Sequence, residues 1–262
     1  MPPYDVRADL ALAHELADAA DAITTARFRA GDLRVDSKPD LTPVSDADTA
    51  VETLLRSLIV ERRPGDAVLG EEAGLIGGGP RRWVIDPIDG TKNFVRGVPV
   101  WATLIALQIA GRTQVGVVSA PALGRRWWAA VGHGAWAGTG PHDGTRLTVS
   151  GVACLGDASL AYSSLSGWQQ QGRLPGLLAL SDRVWRTRAY GDFWSHVLVA
   201  EGAVDGSFEP EVSVWDLAAI EPIVTEAGGS FSDLAGLPGP DGGSVVCSNG
   251  LLHASLLEGL AP

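Results

Sequence analysis

Residues 83–94 read Trp-Val-Ile-Asp-Pro-Ile-Asp-Gly-Thr-Lys-Asn-Phe. An apolar run (Trp83, Val84, Ile85) delivers Asp86, and one Pro-Ile step later come Asp89, Gly90 and Thr91. A buried strand that ends in two carboxylates is costly unless a cation sits between them. Hard divalent cations bind carboxylate oxygens and keep positions open for water and phosphate. Asp-Gly-Thr at a helix start also offers backbone N–H groups and a hydroxyl to an anion. Any fold of this chain must bury this strand and satisfy its acids, which points to a metal-dependent site for a phosphate ester. Taken without its neighbours, the stretch also reads as two turns capping a strand.

The 262 residues are 45% hydrophobic and 19% charged, enough for a large core in one domain or in two closely packed halves. Twenty Lys and Arg against 31 Asp and Glu give a net charge of −11, with no basic run. That argues against nucleic acid as a partner. A small anionic substrate stays compatible, because a bound metal reverses the local field. Cys154 and Cys247 lack metal-ligand spacing and are expected to be free, buried thiols, with one structural disulfide as the alternative. Residues 1–7 lack a basic segment followed by an apolar one, and no apolar run approaches the ~20 residues that cross a bilayer. The expectation is a soluble cytoplasmic protein with no membrane partner.

Apolar residues at Leu10, Ala13, Ala17, Ala20, Ile23 and Phe28 predict an amphipathic helix over 5–30 that Gly31 ends. Ser45 or Asp46 caps a second, with Val51, Leu54, Leu55, Leu58 and Ile59 on its apolar face. Strands are expected at 68–70, 83–89, 100–110, 113–120 and 125–131, with 132–138 as a turn. The second half restarts with a strand at 157–164. Helices follow at 173–183, 193–202, 214–227 and 249–260, with strands at 184–189, 204–208, 230–234 and 244–248. Helices mixed with mostly antiparallel strands argue for a layered α/β fold rather than a regular βαβ wheel. The expected halves are 1–145, holding most of the candidate metal ligands, and 146–262.

Asp48, Glu71, Asp86, Asp89 and Asp216 stand out by position, at strand ends or in first helical turns. Converged, they make an oxygen-rich cage for two or three divalent ions, of the kind that activates water and steadies a leaving oxygen. Residues 83–94 resemble the first signature of the inositol monophosphatase family, whose core Asp-Pro-Ile-Asp-Gly-Thr stands at 86–91. Trp215-Asp216-Leu217-Ala218-Ala219 resembles the second signature, Gly70-Glu71-Glu72 the family's Gly-Glu-Glu, and Val44-Ser45-Asp46-Ala47-Asp48 its Val-Thr-x-x-Asp. The resemblance implies a five-layer αβαβα sandwich and a Mg²⁺-dependent, lithium-sensitive phosphomonoesterase, with two or three ions and Mn²⁺ left open. It implies that Glu71, Asp86 and the Ile88 carbonyl hold one metal. Asp86, Asp89 and Asp216 hold a second, and Asp48 with Glu71 orders a third. Thr91 with Asp48 activates water, the Gly90 and Thr91 amides bind phosphate, and the assembly is a homodimer.

Specificity must come from the surroundings of the leaving group. In Arg188-Ala189-Tyr190-Gly191-Asp192-Phe193, Asp192 places a carboxylate where related inositol enzymes carry small neutral residues. Glu209 adds another. Two carboxylates suit an amine or imidazolium better than a polyol. Gly191-Asp192 and Lys92 resemble the histidinol-phosphate phosphatase branch of the family, of the actinobacterial kind, implying hydrolysis of L-histidinol phosphate in histidine biosynthesis. Arg188, Gly191, Asp192 and Glu209 join Ile88, Asp89, Gly90, Thr91 and Asp216 as candidate substrate contacts. Asp192 also reads as a helix N-cap. His196 reads as a packed helix histidine. Trp185 and Trp194 are candidate pocket walls, and one of Trp127 and Trp128 a candidate subunit contact. Alternatives left open are an inositol-1-phosphatase or another small-ester phosphatase of the family and, in another class, a binder of RNA or transcription machinery.

Overall fold

Asp5 opens the first helix, Val6–Arg27, its carboxylate accepting from the amides of Arg7 and Ala8 at 3.1 and 3.2 Å. The structure, a computed structural model, describes residues 5–39 and 41–261, so part of the amino-terminal segment read above lies outside the described residues. The helix stops at Arg27, ahead of Gly31, because the backbone turns at Arg29 with φ +62°. Phe28 leaves the helical stripe and packs on Phe94 and Trp101, with ring centroids 5.5 and 5.3 Å away. Ser45 caps the second helix, Asp46–Arg62, in a reciprocal capping box with Asp48.

Eight strands form the larger sheet, in the order Thr145–Arg146, Ala135–Gly138, Arg125–Ala130, Arg112–Ala120, Ala102–Ile109, Arg81–Asp89, Ala67–Gly70, Gly74–Ile76. Its neighbours are antiparallel except Ala67–Gly70 beside Arg81–Asp89, which are parallel. Alternation along each strand splits the core. Trp83 and Ile85 pack under the two amino-terminal helices, whereas Val84, Leu104 and Ala106 face the opposite layer. That middle layer holds helices Asp192–Ala200 and Ile220–Glu226. Beyond it lies a second sheet, in the order Arg186–Arg188, Ser159–Tyr162, Gly206–Glu209, Val245–Ser248, Ser230–Ser232. Helices Leu165–Gln170, Leu174–Ser181 and His253–Gly259 cover its far face around Trp168 and Phe208. The result is the five-layer αβαβα sandwich that the family resemblance implies. A short hairpin, Val35–Ser37 with Pro43–Ser45, stands outside both sheets.

Several elements differ from the sequence reading. Ala135–Gly138 is a strand rather than turn, its residues alternately buried and half-buried against Arg125–Ala130. Gly74–Ile76 folds back on Ala67–Gly70 as an edge strand. The helix expected over 214–227 is two, Val214–Leu217 and Ile220–Glu226. Pro222 has no N–H to give the Ala218 carbonyl, so the helical ladder breaks there. Trp127 faces the middle layer and Trp128 the amino-terminal helices, both buried within the chain, so neither is available at a subunit contact. Both cysteines are free, but Cys154 is exposed while Cys247 is buried.

Candidate active site

Residues three apart on a regular strand face opposite ways, so Asp86 and Asp89 could not meet on an unbroken one. Pro87 lacks a ladder donor, and the pairing with Ala102–Ile109 slips between Asp86 and Asp89. Thr103 Oγ1 donates to the Pro87 carbonyl at 2.8 Å, and the Ile88 amide donates to Asp86 Oδ1 at 3.0 Å. The irregularity brings both acids to one point. Asp216 joins them from helix Val214–Leu217, its carboxylate held by the Ser213 amide at 2.7 Å. One oxygen from each of Asp86, Asp89 and Asp216 lies within 4.8 Å of the others. Asp89 Oδ2 also accepts from the Phe193 amide at 2.6 Å, so it closes the first turn of helix Asp192–Ala200.

Gly90 follows at φ +81°, where a Cβ would meet the Val100 carbonyl at 3.0 Å and Asp192 Oδ2 at 3.2 Å. Thr91 Oγ1 lies 2.9 Å from the Ile88 carbonyl and 3.2 Å from Asp48 Oδ1. The other Asp48 oxygen accepts from the Ser45 amide and hydroxyl at 2.8 and 2.6 Å. Capping therefore aims Asp48 at Thr91.

Glu71 sits just beyond the strand Ala67–Gly70, and Lys38 bridges Glu71 and Glu72 at 2.7 Å each. The turn is fixed from behind by buried Glu52, which accepts from the Glu72 and Ala73 amides (2.7 and 2.9 Å) and from Arg56 Nε (2.8 Å). Gly70 makes room for it: a Cβ there would come within 2.4 Å of the Glu52 carboxyl carbon. Gly70→Ala is expected to cost about 1–3 kcal/mol, as bonds to a buried carboxylate are lost, and to weaken divalent-ion binding by shifting Glu71. Thermal melting and ion titration check both, and unchanged values would show that Glu52 moves aside freely.

These elements line a cleft of about 500 Å³ whose walls include Lys38, Glu71, Asp89, Thr91, Lys92, Asp192, His196, Glu209, Trp215 and Asp216. Asp192 does not take the helix-capping role the sequence allowed: it is the first residue of its helix and makes no side-chain cap bond. Gly191 is the N-cap residue, and Asp192 Oδ2 accepts from Asn93 Nδ2 at 2.8 Å. Asp192 takes φ +51°, a conformation costly for a residue with a Cβ. Glu209 approaches from strand Gly206–Glu209 and pairs with buried His196 at 3.2 Å.

The acids strain against one another. Burial, then Glu71 and Asp89, raises Asp86 well above the carboxylate range, and burial, then Asp192 and Asp216, does so for Asp89. Burial pushes Asp216 up to about 7 against the Ser213 amide, and Asp192 up to about 6 with help from Glu209. Asp48 is raised, first by burial. Burial works against the Lys38 ammonium, yet Glu71 and Glu72 hold its pKa above the lysine value. Carboxylates, a hydroxyl and main-chain carbonyls form an all-oxygen donor set, which fits a hard divalent cation.

A folded pKa raised above the unfolded one gives stability below the unfolded value and loses it as pH rises through the folded value. With Asp216 at about 7 in the folded state and in the ordinary carboxylate range when unfolded, the protein stripped of divalent ions is therefore expected to melt lower as pH rises from about 4 to 7, by about 2–4 °C per kcal/mol lost. His14, lowered to about 4 by burial, contributes the opposite slope over that range, and His196, raised to about 10, loses stability only above about 6.5, so the parent is compared with Asp216→Asn, in which both histidines are unchanged. Asp216→Asn should make the fall over that range shallower than in the parent, and an unchanged pH dependence would contradict the assignment.

Not every sequence candidate reaches the cleft. Arg188 is exposed on its strand and donates to the Thr187 carbonyl, and Trp185 is 67% exposed. Gly191 precedes Asp192 without lining the cleft, and Trp194 packs on Tyr190 at 5.6 Å. Lys38, Glu52, Asn93 and Trp215 were missed. The Glu52–Arg56 spacing beside the Val51, Leu55, Ile59 stripe was a usable signal, whereas Lys38 sits in a polar loop with none.

Comparison with known proteins agrees with this geometry. A histidinol-phosphatase of Streptomyces coelicolor is 62% identical over 98% of this chain and 97% of its own. One of Mycobacterium tuberculosis is 60% identical, over 96% and 97%. The solved extragenic suppressor protein suhB of Bartonella henselae superposes with a TM-score of 0.87 at 28% identity, covering 97% of this chain and 98% of its own. The model of the inositol monophosphatase family matches residues 5–261. With its signature acids gathered on one bulged strand and one short helix, the chain belongs to the inositol monophosphatase family.

Proposed function

We propose that this protein is a Mg²⁺-dependent phosphomonoesterase that hydrolyses L-histidinol phosphate to L-histidinol and inorganic phosphate. One observation carries the choice of substrate: Asp192 and Glu209 line the cleft that also contains Asp89 and Asp216. The leaving alcohol carries an ammonium and an imidazole, which two carboxylates bind and a neutral polyol does not need. The two relatives at 60% and 62% identity bear the name histidinol-phosphatase.

In this reading Glu71, Asp86 and the Ile88 carbonyl hold one cation. Asp86, Asp89 and Asp216 hold another, and Asp48 with Glu71 a weaker third. Bound there, the cations lower the pKa of water and neutralise charge on the phosphoryl oxygens. Asp48, its proton affinity raised by burial, takes the attacking water's proton by way of Thr91 Oγ1. The Gly90 and Thr91 amides orient the phosphate. Asp192 and Glu209 bind the cationic end of the alcohol, whose oxygen departs with the electrons of the broken P–O bond and takes a proton from solvent water to give the free alcohol. A homodimer, lithium sensitivity and a cytoplasmic location belong to the same proposal, on the family resemblance. Among the described residues no helix is long and apolar enough to cross a membrane.

Phosphate release at fixed Mg²⁺ from L-histidinol phosphate, inositol 1-phosphate, fructose 1,6-bisphosphate and adenosine 3′,5′-bisphosphate tests the reading. A kcat/KM about 100-fold higher for histidinol phosphate, about 2.7 kcal/mol, is expected. A preference for inositol 1-phosphate would keep the metal chemistry and remove the substrate assignment. No turnover of any ester would leave a binding protein.

A further inference from the structure

His196 is a buried titratable group that the hydrolysis above does not use. It lies on helix Asp192–Ala200, 2% exposed, with its imidazole between two side chains of the facing strand. Nδ1 lies 2.8 Å from Ser207 Oγ, and Nε2 lies 3.2 Å from Glu209 Oε1. Ser207 and Glu209 alternate on Gly206–Glu209, so they share one face of that strand. Helix and strand thus clamp one ring, and the ring holds one oxygen of the carboxylate that reaches the cleft.

We propose that His196 is a positioning residue for specificity: it fixes the Glu209 carboxylate so that its remaining oxygen meets the cationic end of the leaving alcohol. The proposal rests on the substrate reading above. Geometry supplies two fixed partners for the ring, and with both nitrogens protonated each N–H donates, to Ser207 and to Glu209. The charge state agrees. Full burial works against an imidazolium, yet Cys247 and Glu209 raise His196 to about 10. The same positive ring opposes the upward shift of Asp192, whose cause after burial is Glu209. His196 therefore offsets part of the upward push that Glu209 exerts on Asp192. An unclamped Glu209 would be free to swing away from its neighbour Asp192 and spend its ordering entropy at binding.

The test is a double-mutant cycle on the full chain, with His196→Leu and Glu209→Gln, read as kcat and KM on L-histidinol phosphate and inositol 1-phosphate. His196→Leu is expected to raise KM for histidinol phosphate by about 10- to 100-fold, the range for losing a bond to a charged group. The effect on inositol 1-phosphate should be at least about tenfold smaller. In the Glu209→Gln background, adding His196→Leu should change the ratio of the two esters by less than about twofold, because the partner through which it acts is already altered. His196→Gln keeps a donor toward Glu209 and should recover part of the loss. Calorimetry with L-histidinol alone should show the same order of affinities without turnover. In the intact protein, the ring N–H resonances of His196 should shift when L-histidinol binds, which keeps the proposal testable if the Leu variant fails to fold. Equal losses on both esters, an additive cycle, or no resonance shift would overturn it. An unmutated enzyme without preference for histidinol phosphate would overturn the substrate reading, and this inference with it, before any variant is made.

Discussion

Asp86→Asn is expected to abolish hydrolysis of every phosphate ester while leaving the metal-free fold as stable as before or more so. Asp86 is 1% exposed, and Glu71, Asp89, Asp216 and Asp48 all disfavour its charge. Asparagine is nearly isosteric, and its amide oxygen can still accept from the Ile88 amide, the bond that sets the strand irregularity. What disappears is a carboxylate shared between two proposed ion positions. The loss in kcat should be at least about 10³-fold, about 4 kcal/mol of transition-state stabilisation. Melting measured without divalent ions should not fall, because asparagine is neutral without the proton that buried Asp86 must take up among its acidic neighbours. Stabilisation by added Mg²⁺, which reaches about 2.7 kcal/mol at 100 times Kd, should disappear with the activity. Residual activity within about tenfold of the parent, or a collapse of the fold, would show that Asp86 serves the strand rather than an ion.

The chain's apolar periodicity located the first two helices and the central strands, because those segments bury one consistent face. It failed where a tertiary neighbour decides the outcome. Ala135–Gly138 is too short and too glycine-flanked to announce itself, and becomes a strand because Arg125–Ala130 offers an edge. Arg29, not a glycine, takes the left-handed conformation that ends the first helix, because Phe28 gains an aromatic cluster by the turn. At the site, the positions of Asp86, Asp89 and Asp216 were legible because each ends a strand or opens a helix. Their convergence was not, since it depends on the slip at Pro87. Glu52 holds the Glu72 amide across 20 residues and Lys38 pairs with Glu71 across 33, distances at which one sequence without relatives gives no pairing signal. Asp192 was legible as a charge, but its backbone conformation was not.

That conformation gives Asp192 an unusual pair of expected outcomes. A residue with a Cβ at φ +51° carries strain of about 1 kcal/mol or more, and its carboxylate is pushed up to about 6 by burial and by Glu209. Asp192→Gly removes both costs, and Asn93 keeps its second acceptor, the Val100 carbonyl at 2.9 Å. The variant is therefore expected to gain about 0.5–1 kcal/mol of stability and to lose the anchor for the cationic alcohol. Asp192→Asn keeps the strain and the contact with Asn93 but removes the charge. Both should lower kcat/KM for L-histidinol phosphate by about 10- to 100-fold, mostly through KM, as a charge-assisted bond is lost. Inositol 1-phosphate should lose far less. Stability gained as selectivity is lost marks a residue kept for binding rather than for folding. Melting curves and the two-ester comparison decide between the roles. If Asp192→Gly melts lower than the parent, the carboxylate is a structural partner of Asn93. If both variants slow the two esters equally, Asp192 orders the helix that caps Asp89 and does not read the alcohol.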